Sequence, residues 1–275
     1  MASESENRYR EFEHASWERA AQHYSDSFGT FTAPFARPLL DAVACSSGTQ
    51  ILEIASGTGY ISKLATTLGA IATGVDFSAA MVAEATKRNP SASFLEADAE
   101  CLPFGAESFD AVAIGFGVHH FPSPRLAVAE AHRVLRVGGK LAFSVWSTSD
   151  NKFQQVLIDG IAQSGLRGSA LPTPPNGDIN SPERCIRLLS EAGFGAESLS
   201  VQKLEIRVAI PSAERLLEIT VKSTARGAAM ITAQPKNVMP AVIASVESAM
   251  EPYRCSDGQG YEVPAVAILA SAIRH

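Results

Sequence analysis

The sequence contains no run of basic residues; Lys and Arg are dispersed, and the formal net charge at pH 7 is −6. A phosphate backbone demands a basic face, so nucleic acid is not the expected partner. Cysteine is scarce: four residues, Cys45, Cys101, Cys185 and Cys255, lie far apart and form no metal-type pair. They read as small apolar residues of a reducing compartment rather than as disulfides. No cluster of His, Asp and Glu suggests a metal. No Ser/His/Asp elbow or Cys/His pairing suggests an activated side-chain nucleophile. Long hydrophobic runs are missing as well, so no integral membrane segment is expected. The first residues, MASESENRYREFEHASWERAAQHY, are polar where a signal peptide would be apolar, and the expected location is cytoplasmic. Internal repeats and low-complexity tracts are also absent.

What is present is an alternation. The 275 residues, 46% of them hydrophobic, can bury one large α/β domain or one domain with an elaboration. Residues 10–44 read as one or two helices, with Phe12, Trp17, Ala20, Ala21 and Tyr24 at roughly helical intervals. Residues 49–54 are an apolar strand, 60–68 a helix with Gly69 suited to its end, and 71–75 a second strand. Ser78 can cap a helix over 79–87. Strands follow at 93–96 and 109–116. Ser123-Pro124 stands in cap and first-turn order for a helix that Gly138-Gly139 would stop, before a fifth strand at 140–146. Strands separated by helices imply right-handed crossovers and a mostly parallel sheet. After Trp146 the rhythm breaks. A helix at 152–164, a Pro-rich loop at 171–177, a helix opened by Ser181-Pro182-Glu183 and a strand at 199–210 with one wet face come next. Two helices near 212–226 and 236–251 precede a last strand at 263–273. The expectation is an N-terminal helical cap over 1–44 and a helical lid within 147–260.

The stretch ILEIASGTGY at 51–60 carries an apolar strand into a glycine-rich turn that opens a helix. Glycine lets the backbone approach a ligand and take positive φ at no steric cost. Free amides at the helix start can meet polar or anionic ligand atoms. Glu53, beside this turn, either orients the site or anchors loop amides. Asp76 ends the next strand, where a carboxylate can accept from both hydroxyls of a ribose, or can cap a helix. A nicotinamide dinucleotide would use the same acid. Against it, the third glycine of the dinucleotide pattern is missing, because Tyr60, Ile61 and Ser62 follow Gly59. Asp98 follows the third strand, placed to meet an adenine amino group or to remain a solvated loop acid. His119 and His120 follow the fourth strand, at the sheet edge where ligands sit. His120 is the candidate general base; the alternative is a hydrogen bond to the loop before Phe121-Pro122.

The stretches ILEIASGTGY, GVDFSAAMVAEA, FLEADAECLPF, SFDAVAIGFGVHHF and AEAHRVLRVGGKLAFSVW, within residues 50–146, resemble the class I S-adenosylmethionine-dependent methyltransferases. The similarity is to the ubiquinone/menaquinone-type and related small-molecule enzymes. It implies a single Rossmann-like domain over 1–275, with a seven-stranded, mostly parallel sheet and helices on both faces. It also implies S-adenosyl-L-methionine as cofactor and S-adenosyl-L-homocysteine as product. In that reading Ala55, Ser56, Gly57 and Gly59 form the turn against the methionine portion, beside Glu53. Asp76 holds the ribose, Phe77 and Met81 pack near the adenine, and Asp98 and Ala99 meet its edge. Gly115 or Phe116 meets the amino-acid portion, and Tyr24 closes over the cofactor. Two positions depart from the family pattern: Ala55 replaces the first glycine, and Val137 stands where proline often precedes the glycine pair.

Methyl transfer from a sulfonium is an in-line displacement that mainly requires alignment and exclusion of water. The expected function is therefore transfer to a C, O or N atom of a small organic acceptor, hydrophobic or aromatic in character. Alternatives are an adenosylmethionine-binding enzyme for a non-methylating cyclisation or rearrangement, or a cofactor-binding accessory protein. Phe153, Leu157, Leu216, Ile219 and Met230 either line an acceptor pocket or belong to the core. A homodimer is allowed, and nothing in the sequence locates its interface.

Overall fold

The computed structural model describes residues 3–163, 171–175 and 177–275. Ser164 of the expected helix and Asn176 of the expected Pro-rich loop lie outside the described residues. Helix α1 (Glu4–Tyr24) begins well before its apolar spacing does, because Ser3 and Glu6 cap it reciprocally. Ser3 Oγ accepts the Glu6 N–H at 3.2 Å, and Glu6 Oε2 accepts the Ser3 N–H at 2.6 Å. The short α2 (Gly29–Thr32) and α3 (Ala36–Ala42) complete the N-terminal segment.

Then β1 (Gln50–Ile54), α4 (Tyr60–Thr67), β2 (Ile71–Asp76), α5 (Ala79–Arg88), β3 (Ser93–Glu96) and β4 (Phe109–Gly115) alternate as the sequence patterning predicts. Ser78 caps α5, its hydroxyl accepting the Met81 N–H at 3.1 Å. Helix α6 (Pro124–Val134) starts where Pro124 predicts, but the Ser123 hydroxyl makes no cap. The Ser123 N–H donates instead to Glu100 Oε1 at 2.6 Å. The glycine pair does not stop α6 either. The chain is already in β5 (Leu135–Trp146), and Gly138, at φ +81°, turns a bulge between the Phe109–Leu135 and Ala111–Lys140 pairings.

Beyond β5 come α7 (Lys152–Gln163), α8 (Pro182–Glu191), β6 (Ser200–Ile210), α9 (Ala213–Ser223), α10 (Arg226–Thr232), α11 (Met239–Met250) and β7 (Tyr261–Ile273). Three helices, not two, separate β6 from β7 among the described residues. Thr224 makes the extra break: its Oγ1 donates to Thr220 O at 2.8 Å, ending α9, and accepts the Ala228 N–H at 3.1 Å, opening α10.

The strands form one seven-stranded sheet in the order β3-β2-β1-β4-β5-β7-β6, with β7 antiparallel to both neighbours and the pairs from β3 to β5 parallel. Alternation along the strands feeds two layers. Val112, Ile114 and Phe143 pack with Val128 and Ala131 of α6 and Leu188 and Leu189 of α8. On the other face Ile51, Ala111 and Ala113 meet Leu39 and Leu40 of α3 and Ile61 and Ala65 of α4. Burying each large side chain stabilises the fold by roughly 1.5–3 kcal/mol. The β5–β7 pairing ends at Trp146–Ala267, whereas β7 runs on to Tyr261 paired with β6 alone. On this projecting ribbon Val208, Ile210, Val263 and Ala265 join Phe153, Leu216 and Val246 in a separate apolar cluster. The strand order reverses between β1 and β4, and that reversal places a crevice at their carboxyl ends.

Candidate active site

The carboxyl ends of β1 to β4 open into one cleft with about 1020 Å³ of empty space, part of it continuous with solvent. Its walls include Glu53, Ala55, Ser56 and Gly57 from β1 and its turn, and Asp76 and Phe77 from β2. Asp98 and Ala99 follow β3, Gly115 and Phe116 end β4, Met81 comes from α5, His120 from the turn after β4 and Tyr24 from α1. The expected cofactor-site residues other than Gly59, together with His120, are thus brought to one place. Gly59 is the N-cap of α4, at φ +80°, and a Cβ there would lie 2.6 Å from the Asn89 amide and 2.7 Å from the Phe94 ring. It serves the packing behind the turn and does not line the cleft.

Two buried acids hold the turn. Asp76 Oδ2 accepts the Gly57 N–H at 2.8 Å and Oδ1 the Ser78 N–H at 3.0 Å, tying the loop after β1 to the start of α5. One such bond per oxygen leaves each with further acceptor capacity. Burial pushes the Asp76 carboxyl up to about 6 despite these bonds. Glu53 Oε2 accepts from the Ser62 N–H at 2.8 Å and the Ser62 hydroxyl at 2.5 Å, and Oε1 from the Ile61 N–H at 3.3 Å. It caps the first turn of α4, as the anchoring alternative holds, and burial pushes it up to about 7.

The turn has polar capacity left over, at Ser56 on the cleft wall and at Thr58 behind it. A Cβ added at Gly57, φ +50°, would meet nothing within 4 Å. Ser56 Oγ and Thr58 Oγ1 are buried with no hydrogen-bond partner among the described residues. Buried hydroxyls of this kind require an explanation. A ligand with a polar chain beside Ser56 and hydroxyls beside Asp76 fits this donor and acceptor set.

Helix α1 closes the opposite side. Arg10 reaches Asp98 Oδ2 at 2.5 Å and Glu100 Oε2 at 2.7 Å. Glu18 Oε1 accepts from the Ser78 hydroxyl at 2.8 Å and the Ala80 N–H at 3.1 Å, at the start of α5. The Tyr24 hydroxyl lies 3.2 Å from Thr32 Oγ1. Sequence reasoning missed Arg10 and Glu13 and treated Trp17 as packing. The signal was their spacing at i, i+3 and i+7, which puts two charges on the face that carries Trp17 and Tyr24 inward. Of the paired histidines only His120 lines the cleft. His119 is turned into the protein, where burial holds its imidazole well below the ordinary range, and its carbonyl accepts from the Tyr9 hydroxyl at 3.1 Å.

Phe153, Leu157, Leu216, Ile219 and Met230 do not reach this cleft; they are, or pack against, the core of the β6–β7 ribbon. Among the cleft's aromatic walls, Phe116 is stacked on Trp146 at 4.2 Å between centroids and set edge-on to Phe35. Among the described residues no group of three or more His, Cys, Asp and Glu could hold a metal, and no helix is long and apolar enough to cross a membrane. The four cysteines are unpaired.

A family profile described as a methyltransferase domain matches residues 52–143. The chain is 38% identical over 158 residues to a demethylmenaquinone methyltransferase of Renibacterium salmoninarum, a match covering 57% of this chain and 64% of that one. It is 40% identical over 121 residues to the ubiquinone/menaquinone biosynthesis C-methyltransferase UbiE of Rhizobium etli, covering 41% of this chain and 47% of that one. The chain thus spans less than two thirds of the length of these curated relatives. Among solved structures, the YcgJ protein from Bacillus subtilis aligns with a TM-score of 0.57 at 20% identity, over 87% of this chain and 97% of that one. That likeness shows the shared fold.

Proposed function

We propose, from the match of residues 52–143 to a methyltransferase domain, that the chain is a class I, S-adenosylmethionine-dependent enzyme that methylates a small organic acceptor. The methyl group comes from S-adenosyl-L-methionine and goes to a carbon, oxygen or nitrogen atom, leaving S-adenosyl-L-homocysteine. The observation that carries this reading is convergence: the glycine turn, Asp76, Asp98 and His120 meet in a single cleft at the strand-order reversal. The names of the two curated relatives favour a reduced, quinone-like ring as the acceptor.

When bound, the cofactor supplies a methyl group activated by its sulfonium. The chain's residues do the rest. The free lone pairs of Asp76 accept from the ribose hydroxyls, and Phe77 and Met81 flank the adenine. Asp98 already accepts from Arg10 and from the Glu100 N–H at 2.9 Å, yet a carboxylate keeps room for an adenine amino group. Ala55, Ser56 and Gly115 meet the amino-acid portion, with Gly57 admitting it closely. Phe116 and Trp17 exclude water, and His120 faces the acceptor as base. Residues 1–44 act as the cap of this single domain, and the helices within 147–260, none of whose described residues lines the cleft, pack beside it.

Mass spectrometry tests the reading directly. Protein mixed with S-adenosylmethionine and a cell extract should yield S-adenosylhomocysteine and a metabolite heavier by one methylene unit. Cofactor retained but never consumed would count against methyl transfer, and a product of unchanged mass would favour a rearrangement.

A further inference from the structure

A buried carboxylate of α1 meets the histidine that lines the cleft. Glu13 is 0% exposed, and its Oε2 lies 2.9 Å from Trp17 Nε1 and 2.9 Å from His120 Nδ1. An indole nitrogen only donates, so Oε2 is an acceptor there. As a carboxylate Glu13 can only accept, and the imidazole nitrogen that faces the same oxygen then carries hydrogen. That leaves the lone pair of neutral His120 on Nε2, the ring nitrogen α1 does not hold. The Trp17 ring stands edge-on to the imidazole at 5.0 Å and fixes its plane.

We infer that Glu13 is the positioning residue for His120, holding one tautomer and one orientation so that Nε2 can take the acceptor's proton. The inference rests on the methyl-transfer reading above. Its chemistry balances. The acceptor's bond to hydrogen breaks and its electron pair stays on the acceptor, while the proton bonds to Nε2. The methyl carbon gains a bond to the acceptor atom and loses its bond to sulfur, which keeps that pair. The imidazolium so formed stands against the Glu13 carboxylate, the arrangement by which an acid behind a histidine stabilises its charged form.

The surroundings leave this task to Glu13. On α1, the Tyr9 hydroxyl donates to His119 O and also faces Glu13, and the Arg10 charge is set against Asp98 and Glu100. On the same turn His119 is held neutral by burial. Glu13 is the carboxyl group in direct contact. Its second oxygen, Oε1, is buried, and the Tyr9 hydroxyl also interacts with this carboxyl. A buried carboxyl costs stability, and anchoring the Trp17 indole alone would need only a neutral acceptor.

The test uses the full chain labelled with ¹⁵N-histidine, with His120→Asn assigning the imidazole signals. Wild type should show His120 protonated at Nδ1 and bare at Nε2; the opposite tautomer overturns the inference without any variant. In Glu13→Gln, which keeps an acceptor oxygen for Trp17, the signature should move toward a mixture. An unmoved His120 signature in folded Glu13→Gln overturns it. With 1,4-naphthalenediol as acceptor, Glu13→Gln should lower kcat about a hundredfold and leave KM within about twofold; equal kcat values overturn the role. Calorimetry with S-adenosylhomocysteine separates the two levels. Failure of wild type to bind it, or to turn over the diol, counts against the proposed activity or acceptor, and the tautomer still decides for Glu13.

Discussion

Asp76 combines two demands on one side chain. It holds the turn through backbone amides, and in the proposed function it accepts from ribose hydroxyls. Burial favours its neutral form up to about pH 6, whereas hydroxyl donors favour the carboxylate. Binding therefore releases a proton below that pH. Affinity for S-adenosylhomocysteine should be full above about 6 and fall roughly tenfold per unit below it, and calorimetry in buffers of different ionisation heat would detect the proton. A flat profile would remove Asp76 from the ligand. The linkage to stability has the opposite sign. Folded Asp76 and Glu53, at about 6 and about 7, keep protons that the unfolded chain has lost. Their contribution is therefore present at low pH and lost as pH rises through that range. Ala55 stores a different strain: a non-glycine residue at φ +53°. Ala55→Gly should raise stability by about 1 kcal/mol, read from urea denaturation. A loss would mean that the Ala55 methyl's packing against Gly117 outweighs the strain.

Among the elements, α1 decides access to the cleft. It is tied across the cleft by Arg10, to α5 by Glu18 and to the turn after β4 by Glu13. The Arg10–Asp98 pair is partly exposed, with side-chain exposures of 31% and 42%, so its effect on stability is at most about 1 kcal/mol. The Arg10 pairs do bridge the end of the cleft proposed for the adenine. Arg10→Ala should leave the melting temperature nearly unchanged but speed S-adenosylhomocysteine dissociation several-fold in stopped-flow displacement. An unchanged rate would place the gate elsewhere. How much of these elements was legible followed from how local their causes are. Strands β1 to β4 and helix α5 follow from period, turn glycines and the Ser78 cap, all within a few residues. The early start of α1 was written in the Ser3–Glu6 pair, outside the apolar pattern. The start of β5 and the α9–α10 break were masked, the first by a pairing with Phe109 and the second by one threonine serving two helix ends. The Glu13–His120 contact joins residues 107 apart; no spacing rule reports it, because the fold alone makes them neighbours.

At the scale of the whole molecule, the sheet carries two assemblies. Strands β1 to β5 and their helices build the cleft, while the β6–β7 ribbon carries α7, α9 and α11 on an apolar cluster that reaches the cleft wall at Phe116. The cleft's walls include no residue of those three helices, so disturbing their packing should spare cofactor binding. Gly160 allows the test. A Cβ there would lie 2.4 Å from the Val246 side chain and 2.9 Å and 3.0 Å from its Cα and backbone nitrogen. Gly160→Ala gains about 1 kcal/mol of helix propensity, but α7 and α11 must then separate, and overpacking against backbone costs roughly 1–3 kcal/mol. The clash should win. Faster hydrogen exchange in α7 and α11 and a lower melting temperature are expected, with affinity for S-adenosylhomocysteine within about twofold of wild type. A tenfold loss of affinity would show that the ribbon and the cleft open as one cooperative unit, and that the lid contributes to holding the cofactor.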